Sequence, residues 1–301
     1  MTGAVRRLRL RERLIDPRSP DRRPRRAAYV LPALFTSGNL FLGYLSIMKS
    51  LEGAMAGATS TAGPAPFFET AAKTVGIAVL LDGLDGNIAR LTNTTSEFGR
   101  EFDSLSDVIT FGLAPAVLAF VWGVQFIGGD AVGQLRDHIV RAAYFLAFLF
   151  LLCGAARLAR FNIQTNPTPK NPGKPDRKYF VGLPIPGAAA MVASVVYAAE
   201  GEPLRWWPLA IVWLAGIAGL SFLMVSSWRY RSFKEISLLR PRSPVTVVLI
   251  GSLIYLIWNY SQPVLLGMAF AYAGSGVFIR IGGMVRRRLR SVHPRPEHQT
   301  G

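Results

Sequence analysis

Cysteine is all but absent. Cys153 is the one thiol in 301 residues, so no disulfide can form within the chain. It sits inside an apolar run, where packing is its role. Histidine is nearly as scarce: His138, His293 and His298 are scattered between a loop and the tail, and no His/Cys metal cluster can be drawn from them. Acids are few as well, 18 Asp and Glu against 34 Lys and Arg, for a net charge of +16. Charge of that sign would by itself permit nucleic-acid binding. The basic residues, however, lie mostly outside long apolar runs and form no basic soluble domain. That excludes nucleic acid as a partner and leaves membrane topology and anionic lipid to explain the charge.

What is abundant is apolar surface. Hydrophobic residues make up 50% of the chain. They come in runs of about 20, the length that spans a bilayer. Such stretches fall at about 31–51, 70–92, 101–125, 139–162, 179–199, 206–227, 243–260 and 263–284. A tight turn at Asn259-Tyr260-Ser261-Gln262-Pro263 separates the last two. The Pro184 and Pro186 pair is expected to kink the fifth helix.

A second absence decides between seven and eight spans. The first loop, about 52–69, has no Lys or Arg; the loop near 126–138 has only Arg136 and the one near 200–205 only Arg205. The alternate segments are basic: Arg90 and Arg100, then Arg157 through Lys178, then Arg229 through Arg242, and both termini. This is the positive-inside pattern, and it fits eight helices with both ends cytoplasmic. Residues 1–27 hold ten arginines and no apolar h-region, so they do not read as a cleavable signal peptide. They read as a basic cytoplasmic segment, a tail or a helix lying on anionic headgroups.

Acids inside a membrane helix are costly and suggest function. Four sit inside the apolar stretches: Asp82 and Asp85, three residues apart, and Asp103 and Asp107, four apart. From Asp107 onward every acid falls in a loop or the tail. Either spacing puts a pair on one helix face. The two helices are consecutive and joined by a short link, hence antiparallel neighbours, which gathers all four near the cytoplasmic side. A lone intramembrane aspartate often tethers two helices. Four together repel one another unless divalent ions intervene, and oxygen-only ligands suit Mg²⁺ or Mn²⁺. Two such metals are a recurrent device for displacement at phosphorus. Gly86 and Gly99 remove side chains where a ligand could approach the backbone. Arg90, four residues after Gly86, is a natural phosphate partner.

The run Asp82-x2-Asp85-Gly86-x2-Ala89-Arg90-x8-Gly99-x3-Asp103-x3-Asp107 places eight fixed residues over 26 positions. It resembles, without a gap, the signature of the CDP-alcohol phosphotransferase family. The resemblance implies an all-α, polytopic membrane bundle with a six-helix core, here extended by two C-terminal helices. It implies two divalent ions, Mg²⁺ or Mn²⁺, and transfer of a phosphatidyl-type group from a CDP-linked lipid to an alcohol with release of CMP. By position, Asp82 and Asp103 would contact both metals and Asp85 one. Asp107 would touch the second metal and act as general base. Gly86 and Arg90 would hold the CDP moiety, and Ser96 would stand near the phosphates. Family members often form homodimers.

Further segments are similar to one branch, the bacterial and archaeal CDP-diacylglycerol–serine phosphatidyltransferases. They are Phe35 to Tyr44, Cys153 to Asn162, Phe180 to Pro186 and Met224 to Tyr230. This implies CDP-diacylglycerol and L-serine as substrates, phosphatidylserine as product, and a multi-pass protein of the cytoplasmic membrane with its site facing the cytosol. Asn39 would contact the nucleotide lipid. Arg157 and Arg160, three apart at a cytoplasmic helix end, would bind the serine carboxylate or a lipid phosphate; positive-inside anchoring is the plainer reading of their position. Beyond the signature the stretches offer no acid for serine's ammonium, which leaves glycerol 3-phosphate and inositol phosphate as rival acceptors. An ion path through the carboxylates, as in a cation transporter, is the competing class. No repeat of the motif in the other half supports it. The expected layout is a basic segment over 1–27, a six-helix catalytic membrane domain over 28–228, a helix pair with its preceding basic loop over 229–285, and a basic tail over 286–301.

Overall fold

A computed structural model describes residues 26–59, 63–92, 97–128, 133–165, 179–231 and 244–292. Eight helical rods make up the bundle among these residues. The first two are α1 (Arg26–Thr59) and α2 (Ala65–Thr92). The third is continuous but in three parts: α3 (Glu97–Asp107), a π-helical turn (Val108–Leu113) and α4 (Ala114–Val124). There follow α5 (Gly133–Thr165), α6 (Ile185–Ala198), α7 (Trp207–Val225), α8 (Pro244–Asn259) and α9 (Ser261–Val292). The basic segment over residues 1–25 and the tail over 293–301 lie outside the described residues.

The chain is a helical membrane protein, as its hydropathy requires. Among the described residues, Phe98–Val124, Gly133–Ile163 and Trp207–Val225 are long and apolar enough to cross a bilayer. Large apolar side chains such as Leu80, Phe148, Val212 and Val248 are exposed on the outer surface. That is the expected pattern for a bundle whose surroundings are hydrocarbon. Helices commonly outrun their apolar stretches. The 34 residues of α1 rise about 50 Å at 1.5 Å per residue, against a hydrocarbon core of about 30 Å. Glu52, Glu69, Glu101 and Asp137 therefore also lie on helices. Three of them meet a neighbouring cation: Glu52 with Lys49 at 2.6 Å, Glu69 with Lys73 at 2.7 Å, Glu101 with Arg100 at 3.6 Å.

The fifth rod corrects the sequence reading. Expected over 179–199 with a proline kink, the helix begins only at Ile185. Before it, β1 (Tyr179–Val181) pairs antiparallel with β2 (Arg229–Arg231), Phe180 opposite Tyr230. Gly182 turns the chain at φ 82°. A side chain there would run into the carbonyl of Met224. Pro184 then caps the helix and Pro186 occupies its first turn, where a missing N–H costs nothing. The prolines start the helix instead of bending it.

Packing between helices in a bilayer depends on close contact more than on exclusion of water. Phe68, Val75, Phe111, Leu118, Trp122 and Phe150 form the centre, all at most 2% exposed. Ile185 fits against Gly112 and Gly154, and Trp213 lies over Gly123 while its Nε1 donates to the Ala119 carbonyl at 2.9 Å. α9 packs against α6 and β2, so the last helix is built into the bundle.

Candidate active site

Helix α1 is the post against which the acidic helices are set. The Ser46 hydroxyl donates to the Ala71 carbonyl at 3.1 Å, joining α1 to α2. On its other side, Ser106 donates to the Thr36 carbonyl at 3.3 Å and Thr110 to the Asn39 carbonyl at 3.1 Å. Gly43 makes the approach possible, because a Cβ there would stand 2.7 Å from the Thr110 Cα. At the far end of α5, the Asn162 amide donates to the Ser104 hydroxyl at 2.8 Å. Short polar side chains thus hold the stretch 104–110 from both flanks.

Just after Asp107 the backbone widens into the π turn, with the Ala114 N–H reaching back to the Ile109 carbonyl. Pro115 accounts for it: an α-helix through this point would drive the proline ring into the Phe111 carbonyl. A π turn inside a helix commonly marks a functional site. This one sits immediately below the carboxylates.

The carboxylates do converge. One oxygen each from Asp82, Asp103 and Asp107 lies within 4.8 Å of the others. Asp107 is 9% exposed. At that separation two unit charges repel by roughly 3 kcal/mol for an effective dielectric near 20. A cation between the three groups would relieve that repulsion. An all-oxygen donor set at this spacing fits a hard divalent ion. Asp85, Gly86 and Arg90 lie on the helical backbone of α2, but their side chains are outside the described ones, and Ser96 lies outside the described residues altogether.

Other candidates surround this cluster. Asn39 is 3% exposed, and its Oδ1 has no hydrogen-bond partner among the described residues. A buried amide oxygen in that condition is costly and calls for a ligand. Arg157 is 7% exposed, with its guanidinium carbon 5.6 Å from the Phe161 ring. It lies within electrostatic reach of Asp107, Arg160 and Tyr272. Arg160 donates from Nη1 to the Val225 carbonyl at 3.2 Å, which ties α5 to the end of α7. A separate cavity of about 570 Å³, lined by Arg136, Asp137, Arg141 and Tyr144, opens at the opposite end of the third rod. It is remote from the aspartates.

Residues 29–219 match the model of the CDP-alcohol phosphatidyltransferase family. The chain belongs to that family. Among its relatives, the CDP-diacylglycerol–serine O-phosphatidyltransferase of Helicobacter pylori is 38% identical over 208 residues, 69% of this chain and 74% of the relative. The protein of the same name from Bacillus subtilis is 30% identical over 210 residues, 68% of this chain and 92% of the relative. The archaetidylserine synthase of Methanothermobacter thermautotrophicus is 34% identical over 202 residues, 66% and 69% of the two chains.

Within this CDP-alcohol phosphatidyltransferase, two packing residues were not singled out from the sequence. Asn162 was visible only as the end of a similar segment, yet it braces Ser104 beside Asp103. Tyr272 sits in an apolar stretch beyond the family match. Its one signal is the small-residue face Ala269, Ala273 and Gly276, spaced as in close helix contacts.

Proposed function

We propose that this chain transfers a phosphatidyl group from CDP-diacylglycerol to the hydroxyl of L-serine, giving phosphatidylserine and CMP. The observation that carries the reading is the convergence of Asp82, Asp103 and Asp107 inside the membrane helices of a family member. The serine synthases among its relatives support the choice of acceptor.

In this reading Asp82, Asp85, Asp103 and Asp107 hold two divalent ions, Mg²⁺ or Mn²⁺. Once bound, these ions neutralise the pyrophosphate and make CMP a better leaving group. The protein supplies the rest. Gly86, Arg90, Ser96 and Asn39 receive the CDP-lipid, Asn39 offering its buried amide oxygen. Arg157 takes the serine carboxylate, and Arg160 a carboxylate or phosphate at the cavity rim. Asp107 accepts the serine hydroxyl proton as the new P–O bond forms and the bond to CMP breaks, its electron pair leaving with CMP.

The alternation of basic and uncharged loops supports a cytoplasmic membrane protein with both termini and the site facing the cytosol. Residues 28–228 form the catalytic membrane domain, flanked by the basic segment 1–27, the helix pair with its loop over 229–285 and the basic tail 286–301. The protein works as a homodimer.

The deciding experiment is an acceptor panel. Purified protein with CDP-diacylglycerol and Mn²⁺ should release CMP with L-serine and far less with glycerol 3-phosphate or inositol phosphate. CMP release with a phosphorylated acceptor and none with serine would overturn the acceptor. Cation flux in liposomes without CMP release would overturn the reaction class.

A further inference from the structure

We propose that the cavity between α4 and α5, at the end of the bundle away from the aspartates, binds an anionic phospholipid. Arg136 and Arg141 take its phosphate, and its acyl chains lie along the outer face of α5. The site is separate from the chemistry proposed above. Asp107 and Val124, which lines the cavity, lie at the two ends of the π turn and α4, about 25 Å apart at 1.5 Å per residue.

The cations at this end of the bundle are not alike. Lys49 and Lys73 are each paired with a glutamate, Glu52 and Glu69. Arg136 donates from Nε to the Ile127 carbonyl at 3.3 Å, which anchors its guanidinium, and it forms no ion pair among the described residues. Arg141 makes neither a hydrogen bond nor an ion pair among the described residues. Both line the cavity, with Asp137 as its one acid. Two cations against one carboxylate leave a single positive charge, which a monoanionic phosphodiester complements. In the topology proposed above this end faces away from the cytosol, so positive-inside anchoring does not account for the two arginines.

The rest of the lining separates a lipid from a free anion. The cavity, about 570 Å³, is within the range of about 300–1,000 Å³ usual for small-ligand sites. Asp137, Arg141, Tyr144 and Phe148 follow one another at helical spacing and share one face of α5. That face passes from charge to aromatic rings within about 10 Å, at 1.5 Å per residue. Tyr144 and Phe148 are exposed, on a helix long and apolar enough to cross a bilayer. From α4 the Phe120 ring comes within 4.4 Å of the Tyr144 ring and closes the floor of the cavity. A free phosphate would use only the charged rim. An amphiphile uses the rim and the apolar face below it.

The test uses the full chain purified in dodecyl maltoside, with dioleoyl phosphatidylglycerol titrated in and bound lipid counted by native mass spectrometry. The unmodified protein should bind this lipid about tenfold more tightly than dioleoyl phosphatidylcholine, and an equal concentration of inorganic phosphate should not displace it. Arg141→Gln should weaken binding by about tenfold, the loss of one hydrogen bond to a charged group. Asp137→Asn should strengthen it by about threefold, since it removes the one like charge from the rim. CMP release by both variants should stay within about twofold of the unmodified rate, which also shows that they fold. Equal affinity for the two lipids, or displacement by inorganic phosphate, overturns the proposal without calling on any variant. So does unchanged binding in Arg141→Gln, or weaker binding in Asp137→Asn.

Discussion

Ser106 donates its hydroxyl hydrogen to the carbonyl of Thr36, 3.3 Å away across the α1–α3 interface. The bond lies one residue from Asp107, so it sets the depth of that carboxylate as well as the packing of two helices. One turn on, Thr110 repeats the device to Asn39, and Gly43 leaves the room that Thr110 needs. The position of the acidic cluster is therefore a property of α1.

Gly43→Val should expose this dependence. The new side chain would meet the Thr110 backbone, which cannot yield as a flexible side chain would. Overpacking of this kind costs about 1–3 kcal/mol. We expect a lower melting temperature and CMP release down by more than about tenfold, since small misplacements of reacting groups are costly. Ser106→Ala, which removes one buried hydrogen bond, should cost only about 1 kcal/mol. Thermal melts and initial rates on both variants check the order.

The crowding of Asp82, Asp103 and Asp107 makes a prediction whose sign depends on the metal. With chelator present, the three carboxylates repel at close range, so Asp103→Asn should melt higher than the unmodified protein. With saturating Mg²⁺ or Mn²⁺ the order should reverse. A ligand at about 100 times its Kd stabilises by about 2.7 kcal/mol, and the variant forfeits much of that. Activity should vanish in chelator and return on adding the ion. Melting curves that keep one order in both conditions would sink the assignment of these residues as ligands.

Sequence alone revealed most of this arrangement, and the reason is electrostatic. Asp82, Asp103 and Asp107 stand out because a charge in an apolar run needs an explanation, and helical spacing then says which face it takes. The loop charges gave the number of helices for a similar reason. Tyr179 to Pro186 defeated the same method. A three-residue strand has no period to detect, and its partner Arg229–Arg231 lies two helices away. The π turn was equally hidden, since Pro115 in an apolar run reads as a kink or as nothing. For the ribbon the missing information is which distant residue comes to lie opposite.

Tyr230 gives the ribbon a pH limit. Its phenol is fully buried and donates to the Ala273 carbonyl, and burial pushes it from 10.0 up to about 12. A phenol that holds its proton more tightly when folded stabilises fully below the free value. That contribution is lost as pH rises through the folded value. The stability of the unmodified protein should therefore fall above about pH 10, the free phenol's range. Tyr230→Phe should begin lower, having lost the hydrogen bond, and fall less over the same interval. Parallel melts from neutral pH to about pH 11 make the comparison.

Asp107 carries the heaviest chemical assignment and admits the sharpest substitution. Asparagine keeps the size of the side chain and its place above the π turn, so Asp107→Asn should fold and should still bind CDP-diacylglycerol. What it loses is the capacity to accept a proton, along with one anionic ligand atom. The two losses separate on titration with metal. If the defect were only weaker ion binding, raising Mg²⁺ or Mn²⁺ would restore turnover. A base cannot be replaced that way, so kcat should stay about 10²–10⁴-fold down at every metal concentration. Asp82→Asn, which has no proton to take in the proposed reaction, should recover part of its activity under the same titration. Turnover of Asp107→Asn that climbs back to the unmodified rate would move the base elsewhere in the cluster and leave Asp107 a ligand alone.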